Sequence, residues 1–131
     1  MSRFVMNDDV PVAQFDWGSA GMRADVPSTG CTTFVVMDVI LGPGKMHDFH
    51  KHPDQEEVLL IIAGEVEQWV DREKRILYAG DSAFVPKGVV HASFNAGEGE
   101  ARIAAILGPC VGDVGYVSVE MGAEAPWNTL R

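Results

Sequence analysis

From Thr33 onward, apolar residues along the chain come in short runs cut by turn residues, and no stretch keeps a helical period. Thr33 to Leu41 is rich in β-branched residues and ends at Gly42-Pro43-Gly44. Glu57 to Ala63 ends at Gly64, and Val66 to Val70 runs into the charged turn Asp71 to Lys74. Arg75 to Tyr78, Ala83 to Val85, Val89 to Phe94, Ala101 to Leu107 and Tyr116 to Val119 follow, each bounded by Gly, Pro or Asn. Many short strands at close intervals predict an all-β sandwich or barrel. Both faces of Glu57 to Ala63 are apolar, so one should line the interior and the other should be covered by a second sheet or a subunit.

Residues 1–32 are interrupted by Pro11, Gly18, Gly21, Pro27 and Gly30. They read as an N-terminal arm with one or two short strands. It is either a packing strap or a strand exchanged with a second subunit, and the residues favour neither. Residues 33–119 form the predicted barrel, and 120–131 a tail packed on it.

The length of 131 residues fits one domain able to bury a core without disulfide or metal support. Ten basic against 19 acidic residues give a net charge of −9, which disfavours nucleic acid and anionic membranes as partners. No apolar run reaches the length of a membrane span, and Asp8 and Asp9 stand where a signal peptide would be apolar. Two cysteines, Cys31 and Cys110, make no disulfide framework. The expectation is a cytoplasmic protein with both thiols reduced.

The candidate chemistry lies in three of the four histidines. Gly44 is followed after five residues by His50, after one by His52, after four by Glu57 and after six by Gly64. His50 and His52 share a face on an extended chain, and a turn at Pro53-Asp54 can return Glu57 toward them. Further on, Gly80, Pro86, Gly88, His91 and Asn95 supply a third imidazole from another strand. Imidazoles with one carboxylate suit a divalent first-row ion such as Mn, Fe, Co, Ni or Zn, and disfavour Mg or Ca.

These ten positions resemble the two motifs of the cupin superfamily in order and spacing. The resemblance implies a jelly-roll barrel, a double-stranded β-helix, with one metal held inside by His50, His52, Glu57 and His91. Glu56 has the opposite parity to Glu57, so only one can face inward, and the resemblance selects Glu57. His47, three residues before His50, should point to the other face as a surface or subunit-contact residue.

Alternation from Glu57 and His91 makes Leu59, Ile61, Val89 and Ser93 pocket candidates, with Met37 and Val39 from the apolar face of 33–41. Each is equally well read as plain core. Trp17, Trp69 and Trp127 read first as packing residues. The three-His, one-Glu set looks like that of oxalate-oxidising, oxalate-decarboxylating and quercetin-dioxygenating members of the superfamily. The leading expectation is therefore a dioxygenase-type metalloenzyme acting on a small oxygen-rich organic molecule. Metal-assisted lyase, isomerase or decarboxylase chemistry stands beside it, as does a metal-containing binding or sensing module without turnover. Homodimerisation is expected through the apolar outer face of 57–63.

Overall fold

A computed structural model describes residues 3–131, so the first two residues of the predicted arm lie outside the described residues. Among the described residues eleven strands form two antiparallel sheets. β1 (Val12–Phe15), β2 (Gly18–Ala24), β3 (Val35–Leu41), β10 (Ala101–Gly108), β5 (Glu56–Ala63) and β8 (Ser82–Val85) make the six-stranded sheet, in the order β1-β2-β3-β10-β5-β8. The second sheet runs β11-β4-β9-β6-β7, with β4 at Met46–Lys51, β6 at Glu65–Val70, β7 at Glu73–Tyr78, β9 at His91–Asn95 and β11 at Val119–Glu120. The architecture is the predicted jelly roll. The two sheets pair only within themselves, so the expected barrel is an open double sheet rather than a closed ring.

Alternation in the apolar strands places the core. Along β3 every second residue is buried, and Val35, Met37, Val39 and Leu41 face inward. In β5, Glu57, Leu59 and Ile61 are buried while Glu56, Val58 and Ile62 are exposed. Gly64 turns the chain from one sheet to the other at φ +88°, where an added Cβ would lie 2.6 Å from the Glu100 carbonyl oxygen. Asn95 closes the same end of the fold. Its side-chain amide donates to the carbonyls of Leu41, Gly42 and Gly99, and its oxygen accepts from Gly97 N–H.

The arm contributes the β1–β2 hairpin, and β2 pairs with β3 of the same chain. A single helical turn, α1 (Val26–Thr29), capped by Asp25, follows it. The strand expected over 116–119 is only the two-residue β11, which pairs with β4 at Lys51 and His50. The strand β4 was not among the predicted runs, because its sequence MHDFHK is mostly polar.

Every residue of β9 is buried. Inward residues face the site described below. Outward ones are covered by the C-terminal tail, where Met121, Trp127 and Leu130 pack on Phe49, Trp69, Ala92 and Phe94. Arg131 fixes this strap, with its guanidinium 3.9 Å from the Phe94 ring centre and its Nε 2.7 Å from Glu67 Oε2. Among the described residues nothing comparable covers the outer face of the six-stranded sheet. Phe84, Val58 and Ile106 lie in one cross-strand row and are exposed, with Ile62 beside them. On the same sheet Asp38 accepts a bidentate pair of hydrogen bonds from Arg102, which holds its carboxyl below the usual range. Among the described residues no helix is long and apolar enough to cross a membrane.

Candidate metal centre

Three elements bring four side chains together between the sheets. His50 on β4 and His91 on β9 are directly opposite in the antiparallel register, so their rings sit 4.2 Å apart. His52 lies just past β4, on the crossing from the five-stranded to the six-stranded sheet, with its ring 5.1 Å from His50 and 5.2 Å from His91. Glu57 enters from β5 on the opposite sheet. Its Oε1 is 2.8 Å from His91 Nε2 and 3.7 Å from His52 Nε2. All four side chains are at most 4% exposed. Glu56, the competing carboxylate, is exposed.

Backbone carbonyls orient each ring. His50 Nδ1 lies 2.7 Å from the Asp48 oxygen, His52 Nδ1 2.8 Å from that of Val117, and His91 Nδ1 3.0 Å from that of Val89. A carbonyl only accepts, so each Nδ1 carries the hydrogen and donates it. In the neutral ring that leaves a bare lone pair on Nε2. Three Nε2 lone pairs and the Glu57 oxygens therefore face one another with no donor among them. The 2.8 Å approach of Glu57 Oε1 to His91 Nε2 is thus no ordinary hydrogen bond, and both atoms are buried without a partner. One ligand atom from each of His50, His52 and His91 lies within 4.8 Å of the others.

Burial depresses the imidazoles of His50 and His52. His50 is held well below the ordinary value, first by burial and then by the neighbouring His47 and His91. His52 is lowered by burial, partly offset by Glu57. Neutral rings oriented by second partners are the form in which histidine ligates metals.

A cavity of about 270 Å³ opens onto these atoms. Met37, Val39, Leu59 and Ser93, all expected there, line it. Ile61 and Val89 do not. Ile61 sits further along β5, closed into the core at 1% exposure. Val89 belongs to the turn before β9 and serves through its carbonyl on His91.

His47 is a correction. It does not point to the surface but stacks on His50 at 3.7 Å and lines the cavity. The register of β4 against β9 shifts between His47 and His50, and this irregularity undoes the parity that the spacing implied. Trp17 stacks on His47 at 4.5 Å, and Phe15 on Trp17 at 4.7 Å, which builds a column of four near-parallel rings ending at His50. Burial pushes the His47 ring down to about 3, with His91 and His52 adding to the shift. Tyr116, Ser118 and Glu120 complete the wall from the segment after β10, and no sequence motif marked them.

That segment is tied to the site by Gln55, itself 2% exposed. Its amide nitrogen donates to the carbonyls of Pro109 and Gly115, and its oxygen accepts from Val117 N–H. Val117 in turn holds His52.

Comparison with known proteins agrees with this fold. The family model described as "Cupin domain" matches residues 37–107, just over half of the chain. Protein SchB of Streptomyces halstedii is 31% identical over 121 residues, covering 91% of this chain and 88% of SchB. The quercetin 2,3-dioxygenase of Bacillus subtilis is 32% identical over 72 residues, which is 53% of this chain and 21% of that protein. Among solved structures, KdgF from Halomonas superposes with a TM-score of 0.72 at 19% identity, over 83% of this chain and 94% of KdgF, a likeness of fold.

Proposed function

The chain belongs to the cupin family, and from that premise we propose that it is a metal-dependent oxidoreductase of the dioxygenase type. In this reading its substrate is a planar, largely apolar molecule that offers neighbouring oxygen donors. The observation that carries the reading is the convergence of four buried acceptor groups with no hydrogen among them, an arrangement that a divalent cation satisfies. His50, His52 and His91 would hold the ion through Nε2, and Glu57 through its carboxylate. When bound, a redox-capable ion supplies Lewis acidity to a guest's oxygens and a route for O2 chemistry.

The cavity wall supports the substrate class. One side is the ring column Phe15, Trp17 and His47, and the other is Met37, Val39, Leu59, Ile103 and Ala105. These flat and apolar surfaces hold a planar guest and exclude water from the reacting end. None of the described residues lining the cavity is Lys or Arg, and Glu120 adds negative charge. A small dicarboxylate would have no counter-charge beyond the metal itself. Quercetin dioxygenation, the activity named for one partial relative, fits the flat wall.

The test begins with metal analysis of untreated protein and continues with O2 uptake against catechols, flavonols and dicarboxylates. Uptake with the planar substrates alone is expected, lost on chelation. Trp17→Ala should raise KM roughly tenfold with a smaller change in kcat, from loss of about 1–1.5 kcal/mol of ring contact. Turnover that persists in metal-stripped protein would overturn the proposal.

A second copy of the chain is the proposed cover for the apolar row of Phe84, Val58 and Ile106 with Ile62. Light scattering should give twice the chain mass, and Phe84→Glu should return the monomer. A monomeric parent chain would contradict it.

A further inference from the structure

Cys31 and Cys110 are 79 residues apart in sequence, and their Sγ atoms lie 3.6 Å apart. Both are half-buried free thiols. Cys31 stands between α1 and β3, and Cys110 just after β10. The pairing of these two central strands continues past its last register pair, Leu107 with Val35, through the hydrogen bond from Cys110 N–H to the Thr32 carbonyl. The two segments therefore run side by side, which brings the two sulfurs into contact. The sulfurs need only close from contact distance to a bond of about 2.0 Å.

Cys110 also opens the segment 110–118, which has direct consequences for the site. Gln55 grips this segment at Gly115 and Val117, and Val114 accepts from Val26 N–H of α1. Its Val117 carbonyl orients His52. We infer that Cys31 and Cys110 are a dithiol that closes by exchange with a low-molecular-weight disulfide, stapling the segment that orients His52 to the start of β3. This closure does not depend on the proposed reaction and needs no metal.

Chemically, a Cys31 thiolate attacks one sulfur of the small disulfide, whose S–S bond breaks and releases one small thiolate. Cys110 then loses its proton and attacks the Cys31 sulfur, expelling the second. Two electrons pass from the protein to the small disulfide, which leaves as two thiols carrying the two protons. Burial and the adjacent Cys31 push the Cys110 thiol up to about 11.

The experiment incubates the reduced full chain with glutathione disulfide, then uses intact mass, peptide mapping and amide hydrogen exchange. The wild type should lose both thiols, retain no glutathione and yield a peptide joining Cys31 to Cys110 within one chain. Cys110→Ser should retain one glutathione on Cys31, which shows that the substituted chain is folded and that Cys31 is reachable. In the oxidised wild type, amides of Val111 to Val117 should exchange ~fivefold or more slowly than in the reduced protein. Glutathione retained by the wild type, a link only between chains, or exchange unchanged by oxidation would each overturn the inference.

Discussion

Exchanging Glu57 for Gln is expected to weaken divalent-metal binding by ~100-fold or more while making the metal-free protein more stable. The two effects have one origin. In the metal-free chain His91 Nε2 and Glu57 Oε1 are 2.8 Å apart and both lack a donor. A buried unsatisfied acceptor costs roughly 1–3 kcal/mol. The Gln amide has nearly the shape of the carboxylate and brings hydrogens, one of which can point at His91 Nε2. It also removes a buried negative charge whose neighbours are neutral rings. A gain of about 1–3 kcal/mol follows, or several degrees in Tm for a chain of this size. The same exchange replaces an anionic ligand with a neutral one, and the charge attraction to the cation is lost. Titration calorimetry and thermal melts in chelator read the two quantities separately. If the variant instead lost metal-free stability and kept its affinity, Glu57 would be the partner of a protonated His91, and the centre would be an ordinary buried ion pair.

The fold was legible because it rests on local rules, and the four convergent groups because their spacing resembles the two cupin motifs. Alternation along β5 allowed only one of Glu56 and Glu57 inside, the resemblance selected Glu57, and the strand buries Glu57 and exposes Glu56. The positions of His50 and His91 follow from strands that pair across a sheet. Beyond these, the sequence is silent where one long-range contact sets the geometry. The place of His47 depends on a register shift in β4 that leaves no mark in the residues around it. Tyr116, Ser118 and Glu120 reach the cavity because a single buried side chain, Gln55, pins their segment over 50 residues away. Ile61 has the inward parity of Leu59, but parity does not say how deep along the strand the cavity reaches. Trp17 read first as a packing residue and nothing marked Phe15, and their role as a wall appears once the β1–β2 hairpin is set beside β4. The approach of Cys31 to Cys110 is likewise a product of β3 pairing with β10.

Acid should unfold the metal-free protein in a window set by histidines rather than carboxylates. His47 titrates at about 3 in the folded chain against an ordinary value of 6.5, because burial disfavours the imidazolium. The unfolded chain therefore binds the proton first as pH falls. Stability is insensitive to this group above pH 6.5 and declines below it, until the folded ring also protonates near 3. The loss from His47 alone is on the order of 1 kcal/mol at pH 5.5 and grows as pH falls further. His50 and His52 are shifted in the same direction and steepen the decline. Against a typical total of roughly 5–15 kcal/mol, these rings decide where acid unfolding occurs. Asp38 acts later. Its carboxyl is lowered by Arg102, so its contribution persists above the ordinary carboxylate range and disappears only below it. Urea titrations from pH 7.5 to 4.5 in chelator should show the denaturation midpoint begin to fall near pH 6.5. His47→Phe keeps a flat ring against Trp17 without a titrating nitrogen and should remove part of that slope. A bound divalent ion competes with protons for the Nε2 lone pairs, so metal should displace the whole limb to lower pH. A metal-free stability that stayed level from pH 7.5 to 5 would mean that these imidazoles are not buried as neutral rings. It would thereby remove the donor-free convergence that a metal ion would satisfy.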